Sequence, residues 1–125
     1  MNDVWSWLSR RGLGECVAIG LAASVLVEGL TILLRFGLGL QASCCTSWLA
    51  PYTFGYRIHH GYVGLALLAL AVAIRSPGVR RALIVAGVAL AVSDAIHHCL
   101  VMRSITGSAE FDIRYPGTAG GSSSP

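Results

Sequence analysis

Apolar positions along this chain gather into three runs, residues 15–39, 52–74 and 82–102, separated by arginine, proline and aromatic residues. Each run is close to the roughly 20 residues that a helix needs to span the hydrocarbon layer of a bilayer. The pattern predicts three transmembrane helices. Ahead of them, Val4, Trp5, Trp7 and Leu8 precede Arg10 and Arg11, the make-up of a short helix lying at headgroup level. Residues 41–51 contain Cys44, Cys45, Trp48 and Pro51 and lead into Tyr52, Phe54 and Tyr56, which reads as an aromatic, cysteine-bearing surface loop. Arg75-Ser76-Pro77-Gly78 is a tight turn that makes the second and third runs an antiparallel hairpin.

The expected fold is therefore all-α: an integral membrane protein with three transmembrane helices and a short N-terminal interfacial helix. Residues 1–113 form the single transmembrane domain. Residues 114–125, ending in Gly120-Gly121-Ser122-Ser123-Ser124-Pro125, form a flexible tail. Ser9-Arg10-Arg11-Gly12-Leu13 resembles a twin-arginine export signal, and Leu40-Gln41-Ala42-Ser43-Cys44 approaches a lipoprotein cleavage box. The apolar run after the arginines, however, exceeds the roughly 7–15 residues of a signal peptide and contains Glu28, and the leucine is one place too far from the cysteine. The first run is read as a true membrane span.

Composition sharpens this picture. The 125 residues are 54% hydrophobic and 12% charged, with a mean hydropathy of +0.66, too apolar for an ordinary soluble domain. With little mass outside the runs, any activity belongs within the membrane or at its rim. The net charge of +3 comes from nine arginines and no lysine. They flank the runs instead of forming a basic stripe, which excludes nucleic acid as the expected partner. Arg10, Arg11, Arg75, Arg80 and Arg81 fall on one side and Arg35, Arg57, Arg103 and Arg114 on the other, so the positive-inside rule puts the N-terminus in the cytoplasm of a cell-membrane protein.

The candidate chemistry lies in the ionisable residues within the apolar runs: Glu28, His59-His60 and Asp94-x-x-His97-His98. An acid at the bilayer centre costs roughly 2.5–3.5 kcal/mol on an insertion scale, so a cluster of such groups marks a functional site. Counted from Pro77, His60 lies 17 residues back and His97 lies 20 forward, which places them within about 4.5 Å in depth. Glu28, about 10 residues before the end of its run, reaches the same layer. Asp94, His97 and His98 share one helix face at i, i+3 and i+4. Gly87, Ala91 and Ala95 on the third helix, and Gly20 and Ser24 on the first, are small residues that let membrane helices approach closely.

Imidazole and carboxylate suit a transition metal such as Fe, Zn or Cu, and a carboxylate-x-x-His step recurs in metal-binding helical bundles. The expected metal ligands are Glu28, His60, Asp94, His97 and His98, with His59 as a further candidate. An enzyme built on them would oxidise or hydrolyse a lipophilic substrate, with any remaining histidine moving protons. Two alternatives stand beside it. One is an accessory subunit of a larger membrane redox complex, holding haem b between facing histidines. The other is a metal-handling protein that passes Cu or Zn from Cys44-Cys45 to the histidines, with Cys99 on the same side. The lipid bilayer and a homo-oligomer or other membrane subunits are the expected partners.

Overall fold

A computed structural model of the chain describes residues 2–40, 46–108 and 113–115; Cys44, Cys45 and residues 116–125 of the tail lie outside the described residues. The helices are α1 (Asn2–Ser9), α2 (Leu13–Ile32), α3 (His60–Ala73), α4 (Pro77–Ile96) and α5 (Arg103–Thr106). A π-helical turn, Leu33–Gly37, prolongs α2, and another, His97–Met102, joins α4 to α5. The fold is all-α; among the described residues no strand is present, only the isolated bridge between Tyr56 and Arg114.

Local chemistry sets the helix limits. Glu15 reaches back to accept the Gly12 N–H at 2.7 Å and pairs with Arg11 at 3.0 Å, which closes the start of α2. Pro77 occupies the first turn of α4, where its missing N–H costs nothing. Gly107, at φ 75°, ends α5 in the left-handed conformation and donates its N–H to Arg103 O.

The rods Leu13–Gly37 (25 residues) and Pro77–Thr106 (30 residues) are long and apolar enough to cross a membrane. The apolar run at 52–74 departs from expectation, because only its last part is helical: α3 has 14 residues, about 21 Å long. Phe54 and Gly55 adopt positive φ (54° and 79°), which breaks the helix, and His59 enters α3 as an extended N-cap residue.

Burial on these helices is the reverse of a soluble core. The residues of α2 turned inward are Cys16, Gly20, Ser24 and Glu28, at four-residue steps, while Val25 and Leu26 are 66% and 76% exposed. On α3 the inward positions are Gly61, Gly64 and Ala71, and Val72 is 87% exposed. Small and polar side chains face in and large apolar ones face out, opposite to the preference of water-soluble interiors.

Helix α4 is central: α2, α3 and α1 all lean on it. The α3–α4 crossing is antiparallel and so close that a Cβ on Gly64 would lie 2.6 Å from Ala91 N and 2.7 Å from Gly87 O. A Cβ on Gly87 would meet Leu68 Cγ at 2.7 Å. Gly20 makes the corresponding approach of α2 to Val88, a Cβ there lying 2.7 Å from the valine Cβ. Gly87, Ala91 and Gly20 thus serve the small-residue contacts the sequence predicts, joined by Gly64; Ala95 departs from that stripe and is exposed. At the opposite end, α1 folds over the start of α4, where Arg81 Nη1 donates to Ser9 O at 2.5 Å.

Gly64→Val should destabilise the protein by about 1–3 kcal/mol or more, because the added atoms collide with backbone that cannot turn aside. Gly29→Ala, at a position with nothing within 4 Å, should change stability little. Thermal unfolding in detergent, followed by helical circular dichroism, distinguishes the two.

Candidate metal centre

Three helix segments converge at the end of the bundle away from α1. Asp94 lies in the last turn of α4 and His97 and His98 begin its π-helical extension. A π turn carries one more residue than an α turn and is frequent at functional sites. Here the two adjacent histidines serve different neighbours. His97 turns to α2, where its Nδ1 lies 3.0 Å from Glu28 Oε1. His98 turns to the start of α3, where its Nε2 lies 3.1 Å from His59 Nδ1.

Asp94 sits between them. Its Oδ1 is 3.2 Å from His60 Nδ1, 3.8 Å from His98 Nε2 and 3.9 Å from His59 Nδ1. His60 Nε2 in turn lies 3.4 Å from Ser93 Oγ. Gly61 makes room for the carboxylate, since a Cβ there would stand 2.5 Å from Asp94 Oδ2. His59, Asp94, His97, His98 and Glu28 are all buried, at 5–7% exposure, whereas the His60 side chain is 33% exposed.

Two buried carboxylate oxygens, Asp94 Oδ1 and Glu28 Oε2, have no hydrogen-bond partner among the described residues. A buried charge left so is costly unless a cation or proton completes it. Around Asp94 Oδ1 the geometry has room for a metal ion as the completing group. His59, Asp94 and His98 each offer one ligand atom within a tight group. Atoms separated by 3.1, 3.8 and 3.9 Å share an equidistant point about 2.1 Å from each, the length of ordinary metal–nitrogen and metal–oxygen bonds. Two imidazoles and one carboxylate, with no thiolate, suit Zn²⁺ or Fe²⁺ over soft ions. The trio can hold a metal ion.

A cavity of about 130 Å³ adjoins this group and is lined by His59, His60, Asp94, His97 and His98. It is also lined by Thr31 of α2, Arg35 of the π-helical turn that prolongs it, Arg57 of the following loop and Tyr115. The loop is fastened there by Arg57 N to Ile113 O and Tyr115 N to Gly55 O, both 2.9 Å, and by the Tyr115 hydroxyl to Thr46 Oγ1 at 2.9 Å.

No protein-family model, curated protein or solved structure matches this chain. The site therefore has to be read from its own chemistry.

All six residues singled out in the sequence gather at this end of the bundle, but in two groups. His59, not only His60, belongs to the inner trio, and His60 stands at its edge. Glu28 and His97 form a separate pair, with the His97 and His98 rings 5.3 Å apart. Arg35 lines the cavity. Cys99 is exposed and Cys16 fully buried, both as free thiols; neither joins the site. Gly61 and Ser93 are missed by sequence reasoning. Gly61 gives a faint signal, as the first of two glycines three residues apart directly after the histidines.

Removing one partner of the Glu28–His97 pair should cost far more than replacing both. His97→Leu alone should destabilise by about 3–5 kcal/mol, while Glu28→Met with His97→Leu should recover most of that loss. A double-mutant cycle on thermal unfolding measures the coupling.

Proposed function

We propose that this chain is a small integral membrane protein that binds one divalent transition-metal ion through His59, Asp94 and His98, for redox or hydrolytic chemistry on a lipophilic substrate. The observation that carries this reading is the buried Asp94 Oδ1, without a hydrogen-bond partner among the described residues and flanked by imidazole nitrogens at metal-ligand spacing. His60 and the Glu28–His97 pair surround the ion, orient its ligands and hold protons beside it.

Membrane residence is supported by the two long apolar rods and by their outward-facing leucines and valines. We place α2, α3 and α4 as three spans, with α3 entering the bilayer only from His60, and α1 on the headgroups with Trp5 and Trp7 partly exposed. Arginine counts favour the N-terminus and α1 on the cytoplasmic side. His97 lies 20 residues beyond Pro77, about 30 Å along α4, which sets the metal near the outer boundary of the hydrocarbon layer.

A site with three protein ligands beside a cavity is of the open, catalytic kind; structural sites commonly close the sphere with four. The bound ion would supply Lewis acidity or electron transfer, while the apolar helices give a lipophilic substrate access from the membrane. The haem alternative finds less support. Axial histidine nitrogens stand roughly 4 Å apart with the macrocycle between them, twice an ordinary metal–nitrogen bond, whereas His59 and His98 approach to 3.1 Å and the cavity is about 130 Å³.

Protein purified without a polyhistidine tag should contain close to one equivalent of zinc, iron or a similar ion by elemental analysis. Asp94→Ala and His98→Ala should lose it. Gly61→Ala, which pushes on the carboxylate, should weaken it. Full metal occupancy in Asp94→Ala would overturn the assignment.

A further inference from the structure

Charge is unevenly divided between the two ends of the bundle. Arg10, Arg11, Arg75, Arg80 and Arg81 lie at the α1 end against two acids, Asp3 and Glu15, so this end carries the whole net charge of +3. The other four arginines are matched in the sequence by four acids, Glu28, Asp94, Glu110 and Asp112. The cationic end is one surface built from two elements. Leu8 of α1 is buried, Gly78 of α4 lies against Trp5 and Ser9, and Arg81 Nη1 donates to Ser9 O at 2.5 Å. Arg11 pairs with Glu15 and stands 4.4 Å over the Trp7 ring. Among the described residues Arg10, Arg75 and Arg80 make no ion pair, and the Nε donors of Arg80 and Arg81 are buried without a hydrogen-bond partner.

Beside this charge α1 presents apolar surface: Val4, Trp5 and Trp7 are 66%, 47% and 41% exposed. Indole settles at headgroup level, and guanidinium matches the oxygens of a phosphate. A surface that offers both binds a bilayer through buried apolar area together with attraction to anionic lipid. A neutral bilayer would accept the indoles and leave three positive charges without a counterpart. We propose that the α1 end is a docking surface for acidic phospholipids, whose headgroups gather at Arg10, Arg75 and Arg80 while Trp5 and Trp7 enter the interface. The inference rests on the membrane placement proposed above and deepens it by naming the lipid. Both long apolar rods begin at this end, at Leu13 and Pro77, so in that placement the headgroup layer lies beside the arginines, which favours lipid over an acidic soluble protein. The cytoplasmic leaflet, on which arginine counts put α1, is also the one with a negative surface potential.

The test uses the full chain carrying Trp48→Phe, which leaves Trp5 and Trp7 as its indoles. Flotation with phosphatidylcholine vesicles first reads membrane residence. Brominated phosphatidylglycerol and brominated phosphatidylcholine are then compared, at equal mole fraction, as quenchers of the two indoles. The acidic lipid should be preferred by about fivefold or more, the factor that one arginine contributes near an acidic surface. The preference should shrink in 1 M salt, where the Debye length is about 3 Å. Arg10→Gln, Arg75→Gln and Arg80→Gln together should remove most of it with the helical circular dichroism retained, and Arg75→Gln alone, in the exposed turn, should remove part. Arg103→Gln, at the far end of the bundle, should leave it unchanged. Equal quenching by the two lipids in protein that floats, or a preference that the arginine substitutions leave intact in folded protein, would overturn the inference and leave membrane residence standing. Protein that does not float would sink the membrane placement and the inference with it.

Discussion

A carboxylate buried under a glycine governs this structure. Asp94 can occupy the α3–α4 crossing only because residue 61 lacks a Cβ, and the crossing is close only because Gly64 and Gly87 let the two backbones meet. A carboxyl group buried in such a place demands polar partners. The histidines at the start of α3 and the end of α4 are those partners, three of their nitrogens standing within 3.9 Å of one oxygen. Packing and chemistry are here the same arrangement: the glycines that join the helices also bring His59 and His60 down onto Asp94.

The inverted burial follows from the same constraint. If, as proposed, the outer helix surfaces meet lipid, large apolar side chains gain nothing by facing inward, and close contact between small residues becomes the source of cohesion. Cys16, Gly20, Ser24 and Glu28 make one such seam between α2 and α4, and Gly61, Gly64 and Gly87 another between α3 and α4. Because both seams lie on α4, that helix holds the polar residues of the site in register. Asp94 and His98 come from it directly, and Glu28 and His59 are delivered to it by its two neighbours.

The position of the centre along α4 matters as much as its composition. In the proposed membrane placement, a metal ion at this site would feel a lower dielectric than water, which would strengthen its hold on charged ligands. The adjoining cavity is lined by Arg57 of the loop before α3 and by Tyr115 of the segment paired with that loop. The π turn at His97–Met102 completes this layout by letting consecutive histidines address α2 and α3 separately.

Much of this was legible in the chain. Apolar runs dictated helices, Pro77 and Gly78 dictated the turn into α4, and residue counting placed Glu28 and both histidine pairs at one depth, because helix rise is nearly invariant. Facing was legible for Asp94 and His98, which stand at i and i+4. What only the tertiary structure decided is the partnership of each side chain. Periodicity cannot say that α3 begins at His60, which turns His59 from a helical residue into an extended cap pointing at His98, nor that a π turn parts His97 from it. Nor can it show that Gly61 lies against Asp94. Such pairings depend on how closely two backbones cross, and that distance is set jointly by residues more than twenty positions apart, on helices whose own sequences are complete without one another.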